Sequence, residues 1–70
     1  MDLIINGETV KLEQTNVNLA ELLRLQKVEA PERVSIQVNG KFVNKTNYDS
    51  TQVHDKDEIE FLYFLGGGAI

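Results

Sequence analysis

The chain has 70 residues, 41% of them hydrophobic, a formal charge of -4 and no cysteine. That length makes one small domain, the ordinary apolar fraction argues against disorder, and the lack of cysteine excludes a disulfide framework or a thiolate zinc site. The seven basic residues never adjoin one another, so the clustered Lys and Arg of a phosphate-binding surface are excluded and no nucleic-acid partner is expected.

The opening "DLIINGETVKL" predicts a hairpin. Leu3, Ile4 and Ile5 lead into Asn6-Gly7, the pair that best tolerates the positive φ angles of a two-residue turn, and Thr9, Val10 and Leu12 supply the returning strand. No basic region precedes these apolar residues and no apolar run approaches the ~20 residues of a membrane span. The expected location is the cytoplasm, with no membrane partner.

"VNLAELLRLQKV" carries a helix start signal, with Asn18 as N-cap, Glu21 as its capping-box partner and Val17 with Leu22 as a hydrophobic staple. Leu19, Leu22, Leu23 and Gln26 follow helical spacing, which puts an apolar stripe on a sheet while Glu21, Arg24 and Lys27 face water. "EAPER" is expected to end the helix, because Pro31 disfavours helical geometry in the residue before it.

In "VSIQVNGKFV", Val34, Ile36 and Val38 alternate with Ser35 and Gln37, the signature of a half-buried strand, and Asn39-Gly40 supplies a second hairpin turn before Phe42 and Val43. "NKTNYDSTQVHDKD" is a polar connection with Tyr48 and Val53 as its anchors. "EIEFLYFL" is the last strand, alternating at first and apolar on both faces from Phe61, as suits the middle of a sheet.

Strand, strand, helix, strand, short strand, strand, with the last strand placed centrally beside and parallel to the first, is the α+β architecture called the ubiquitin-like β-grasp. We expect a mixed sheet of four or five strands with one main helix packed across one face. Residues 1–65 form this domain and 66–70 a flexible glycine-rich tail.

Side chains alternate across a strand, so Phe61 to Leu65 cannot all enter the core. If Ile59, Phe61 and Tyr63 pack under the helix, Leu62 and Phe64 emerge on the other face, beside Leu65 and the tail, as an apolar docking patch. His54 lacks a nucleophile or carboxylate at a recognisable spacing and reads as a solvated loop residue. The acidic run Asp55, Asp57, Glu58 and Glu60 reads as a turn and a solvated strand edge that helps steer a basic partner. No metal site and no cofactor are expected.

Gly66, Gly67 and Gly68 are no phosphate loop, because only Ala69 and Ile70 follow and no helix N-terminus aims N–H groups at a ligand. Without Cβ atoms, a peptide arm can thread a narrow channel and expose its carbonyl to attack from either side, which suits acyl transfer at a C-terminus.

The helix-bearing β-grasp pattern, the "VNG" turn at Val38 to Gly40, the "HDKDEIEFLYFL" approach and the closing glycines resemble the ThiS family of sulfur carrier proteins, relatives of MoaD and ubiquitin. The resemblance covers essentially the whole chain. It departs from the family pattern at Lys56-Asp57, where Gly-Asp is common, at Tyr48, which stands for an aromatic common in the fourth element, and at Ala69-Ile70, beyond the usual terminal diglycine.

The resemblance implies a carrier that is itself a substrate of other enzymes. A ubiquitin-activating-enzyme-like partner adenylates the terminal glycine, and the acyl-adenylate becomes a thiocarboxylate that delivers sulfur for thiamin or another metabolite such as a sulfur amino acid. With no cysteine, the chain has no thiol to hold sulfur otherwise. Aligned by distance from the last strand, Gly67-Gly68 takes the place of the diglycine, so Gly68 is the reactive residue, Gly66 to Gly68 thread into the partner, and Ala69-Ile70 are removed first by a metalloprotease. The implied partners are the adenylating enzyme, a sulfur donor or sulfurtransferase, a sulfur-accepting synthase and that protease. A ubiquitin-like modifier forming isopeptide bonds and a β-grasp interaction module remain as alternatives.

Overall fold

A computed structural model describes residues 1–63. Strands β1 (Asp2–Ile5) and β2 (Glu8–Lys11) form the first hairpin, and helix α1 (Leu19–Leu25) follows. Strands β3 (Val34–Val38) and β4 (Lys41–Val43) form the second hairpin, and β5 (Glu58–Tyr63) returns last. Short 3-10 turns at Pro31–Arg33 and Lys45–Asn47 flank the second hairpin. The sheet order is β2-β1-β5-β3-β4, with β5 parallel to β1 and antiparallel to β3. This is the expected β-grasp, a five-stranded mixed sheet with its last strand in the centre.

Both hairpins turn as the Asn-Gly pairs require. Asn6 and Gly7 have φ of 50° and 86°, and Asn39 and Gly40 have 52° and 87°. Two successive left-handed residues match the right-handed twist of the flanking strands, and of the common residues only Gly and Asn adopt them readily.

The helix starts on the expected capping box. The Glu21 N–H donates to Asn18 Oδ1 at 2.8 Å and the Asn18 N–H donates to Glu21 Oε1 at 3.3 Å, so two N-terminal N–H groups are paired reciprocally. Val17 and Leu22, the staple pair, are both in the core. The helix stops earlier than Pro31 suggests, at the C-cap Gln26. Lys27 turns left-handed with φ 55°, its N–H reaching the Arg24 carbonyl at 3.0 Å and the Val28 N–H reaching the Leu23 carbonyl at 3.1 Å. That pair of bonds is a Schellman motif, usually built on glycine. Pro31 instead opens the 3-10 turn that leads into β3.

Leu19, Leu22 and Leu23 of α1 pack on Leu3, Ile36 and Ile59 of the sheet in one buried cluster. Each such side chain contributes about 1.5–3 kcal/mol when fully removed from water, which lets a chain without cross-links hold a single core. Tyr48 and Val53 are both buried, as expected of the anchors of the long connection. The Tyr48 hydroxyl receives the Ile36 N–H at 3.1 Å and points back to the Val34 carbonyl at 3.4 Å, tying that connection to β3.

Tyr63 corrects one expectation. Alternation along β5 puts Tyr63 beneath the helix with Ile59 and Phe61, yet it is 53% exposed. It stands opposite Val34, the first residue of β3, so the ring lies at the end of the sheet, where the seven-residue helix does not cover it. The tail expected at 66–70, and the last residues of the expected domain, lie outside the described residues.

Candidate functional site

Strand β5 divides its side chains between two environments. Ile59 and Phe61 are buried on the helix side, while Glu58 and Glu60 are exposed and Leu62 is half-buried on the other. The neighbours on that open face follow from the register. Ile4 of β1 stands beside Glu58, Gln37 of β3 beside Glu60, and Ser35 beside Leu62. Phe42 of β4 stands opposite Gln37 and is 64% exposed. The open face therefore carries three apolar points, Ile4, Leu62 and Phe42, around two carboxylates.

Leu62 lies where the alternation argument placed it. Phe42 and Ile4 were not singled out as docking residues, although the signal for Phe42 was present. A two-residue turn at Asn39-Gly40 pairs Lys41 with Val38, which forces Phe42 opposite Gln37 and onto the polar side of β3. An exposed aromatic on an edge strand, beside a charged face, is the kind of side chain that anchors interfaces. The other expected site residues, Phe64, Leu65, Gly66, Gly67, Gly68, Ala69 and Ile70, lie outside the described residues.

The two hairpin asparagines hold β5 in place from opposite sides. Asn39 Oδ1 accepts the Glu58 N–H at 2.9 Å, and Asn6 Oδ1 accepts the Phe61 N–H at 2.9 Å. Each residue thus forms a turn through its backbone and pairs a β5 amide through its side chain. Strand β5 is positioned by residues 19 and 55 positions away in the chain.

The acidic run before β5 serves as a turn. Asp57 accepts the His54 N–H at 2.8 Å and the Asn39 side-chain N–H at 3.0 Å, and Asp55 accepts the Asp2 N–H at 2.7 Å. His54 is exposed, with Nδ1 3.7 Å from Asp57. Lys56 has φ 73°, which explains in physical terms why glycine suits this position. No group of three metal-ligating side chains comes together among the described residues. Nor, among them, is any helix long and apolar enough to cross a membrane. What the described surface offers chemically is an open face with three apolar points and two carboxylates beside the end of β5.

Comparison with known proteins gives consistent matches. The model of the ThiS family matches residues 3–68. The chain is 30% identical over 64 residues to the sulfur carrier protein ThiS of Bacillus subtilis (strain 168), covering 91% of this chain and 96% of that protein. It is 39% identical to a crystal structure of the thiamine biosynthesis protein ThiS from Geobacter metallireducens, with a TM-score of 0.89 over 97% of this chain and all of the other. A solution NMR structure of a thiamine biosynthesis protein from the same organism gives 38% identity and a TM-score of 0.79, covering all of this chain and 91% of the other.

Proposed function

The chain belongs to the ThiS family of sulfur carrier proteins of thiamin biosynthesis, small carriers rather than enzymes, and from that premise we propose that Gly68 is the residue that carries the sulfur. The observation that carries this reading is the extent of the family match, which runs through Gly68 and leaves Ala69 and Ile70 beyond it. The Gly68 carboxylate attacks the α-phosphate of ATP held by an adenylating enzyme, forming an acyl-adenylate and releasing pyrophosphate. Sulfide supplied by a donor then attacks the Gly68 carbonyl and displaces AMP with no change of oxidation state, leaving a thiocarboxylate for a sulfur-accepting synthase. The glycines at 66–68 suit this route because a backbone without Cβ atoms passes a narrow channel and leaves its carbonyl open.

A carbonyl in a peptide bond to Ala69 has no free carboxylate to offer ATP. Cleavage of the Gly68–Ala69 bond by a metalloprotease therefore precedes activation. The adenylating enzyme docks on the open face, with Ile4, Leu62 and Phe42 as apolar contacts, and Phe64 and Leu65 take part in the same docking. Glu58 and Glu60, with the net charge of -4, favour a basic surface opposite.

The test is intact mass. The chain ending at Gly68, incubated with the adenylating enzyme, ATP and a sulfide source, is expected to exchange one oxygen for sulfur and to support pyrophosphate exchange, while the 70-residue chain does neither until a protease has acted. A covalent adduct on another protein's lysine would identify a modifier instead. Equal adenylation of the untrimmed chain would refute the cleavage step.

A further inference from the structure

Among the described residues, the central strand of the sheet has a free edge from Phe61 to Tyr63. Hydrogen-bonding pairs alternate along an antiparallel ladder. The Asn39 N–H donates to the Glu58 carbonyl at 2.7 Å, so the pairs two and four residues on, Gln37 with Glu60 and Ser35 with Leu62, are the bonded ones. The backbone groups of Ile59, Phe61 and Tyr63 consequently point the other way, toward β1.

There β1 runs out before β5 does. It pairs with β5 only through Ile4 beside Glu58 and Ile5 beside Ile59, and its last backbone bond runs from the Asn6 N–H to the Ile59 carbonyl at 2.9 Å. The chain then turns back at Asn6-Gly7, and the Asn6 side chain takes the Phe61 N–H. Next along this edge come the Phe61 carbonyl and the Tyr63 N–H. Among the described residues no strand stands beside them. Among the described residues, Asn6 and Gly7 at the near end of this edge are exposed, and a Cβ built on Gly7 would meet nothing within 4 Å.

We propose that this edge of β5, from Phe61 to Tyr63, is a strand-addition site at which an extended backbone segment of the adenylating enzyme joins the sheet. The inference rests on the functional reading above and adds to it a backbone contact distinct from the side-chain face. One residue of a strand running parallel to β1 pairs both free groups, donating its N–H to the Phe61 carbonyl and accepting the Tyr63 N–H. The Asn6 cap leaves those two groups, and not the Phe61 N–H, for the incoming chain, which sets the register. The edge is continuous with Leu62 on the open face and stops at Tyr63, five residues before Gly68 in the sequence, so a partner paired there is held near in chain to the residue it activates. Main-chain bonds supply the affinity in recognition of this kind, whatever side chains the partner strand carries.

The test uses the full chain, made by chemical ligation with an N-methyl group on the Tyr63 backbone nitrogen, which deletes one donor and keeps every side chain. Binding to the purified adenylating enzyme is measured by calorimetry. Amide hydrogen exchange of the unmodified chain is followed by NMR, alone and bound. The expected result is that the Tyr63 amide becomes protected in the complex and that N-methylation weakens binding roughly five- to tenfold, the loss of one backbone hydrogen bond. If the unmodified chain binds but the Tyr63 amide exchanges as fast as when free, and the N-methyl chain binds equally, the edge proposal is overturned while the carrier reading stands. If the unmodified chain neither binds the enzyme nor, once trimmed, supports pyrophosphate exchange, the functional reading falls and takes the edge proposal with it.

Discussion

Replacing Tyr48 by Phe isolates one hydroxyl that joins the long connection to the sheet. Val34 and Ile36 are fully buried and Tyr48 is 8% exposed, so the Ile36 N–H, which the register also pairs with Val43 of β4, would lose the hydroxyl it meets at 3.1 Å and keep its ladder partner. The 3.4 Å approach to the Val34 carbonyl is long and adds little. A single intramolecular hydrogen bond contributes about 0.5–1.5 kcal/mol net, and with the amide still paired in the ladder we expect a loss of about 0.5–1 kcal/mol. A domain this small has roughly 4–10 kcal/mol in total. Urea unfolding followed by circular dichroism reads the change as a midpoint lowered by roughly 0.5–1 M with the slope unchanged.

The same hydroxyl gives a pH signature. Burial raises the Tyr48 pKa above its usual 10.0, and the Ile36 N–H opposes this only in part. The folded state therefore keeps its proton after the unfolded chain has lost it. The contribution of the neutral phenol is fully present below about pH 10 and is lost as pH rises through the raised folded value. The wild-type chain should lose stability over that alkaline range, and the Phe variant should lose less. Equal urea midpoints for the two chains at neutral pH would refute the claim that the hydroxyl pairs a buried amide.

Replacing Lys56 by Gly should stabilise the chain by about 0.5–1 kcal/mol, because φ of 73° strains a side chain bearing a Cβ, and only the exposed 3.7 Å ion pair with Asp2 is given up; thermal unfolding checks it, and a lower melting temperature would contradict it. Changing Phe42 and Leu62 together to Ser should weaken binding to the adenylating enzyme at least tenfold, since buried aromatic anchors dominate interfaces. The same change should cost under about 1.5 kcal/mol of stability, because Phe42 is 64% exposed and Leu62 half-buried. A larger loss in denaturant titration would mean that Leu62 belongs to the core.

What the sequence determined by itself was whatever neighbouring residues decide among themselves. Asn-Gly pairs select their turn, Asn18 and Glu21 cap a helix within one turn of chain, and alternation separates Ile59 and Phe61 from Leu62. The central place of β5 was legible too, because a strand apolar on both faces needs neighbours on both sides. Tertiary structure decided what depends on distant partners. The helix ended at a left-handed Lys27, where a residue with a Cβ takes a conformation that favours glycine, so no residue type announced the stop. Tyr63 came to the surface because β3 begins only at Val34 and the helix spans seven residues. Ile4, Leu62 and Phe42 share a face only once four strands take their register. The Asn6 cap on Phe61 joins residues 55 apart, and only the shortness of β1 beside β5 exposes the edge beyond it. Local preferences are energies between near neighbours and can be read along the chain, whereas a face or an edge exists only after loop closure has set which strands meet.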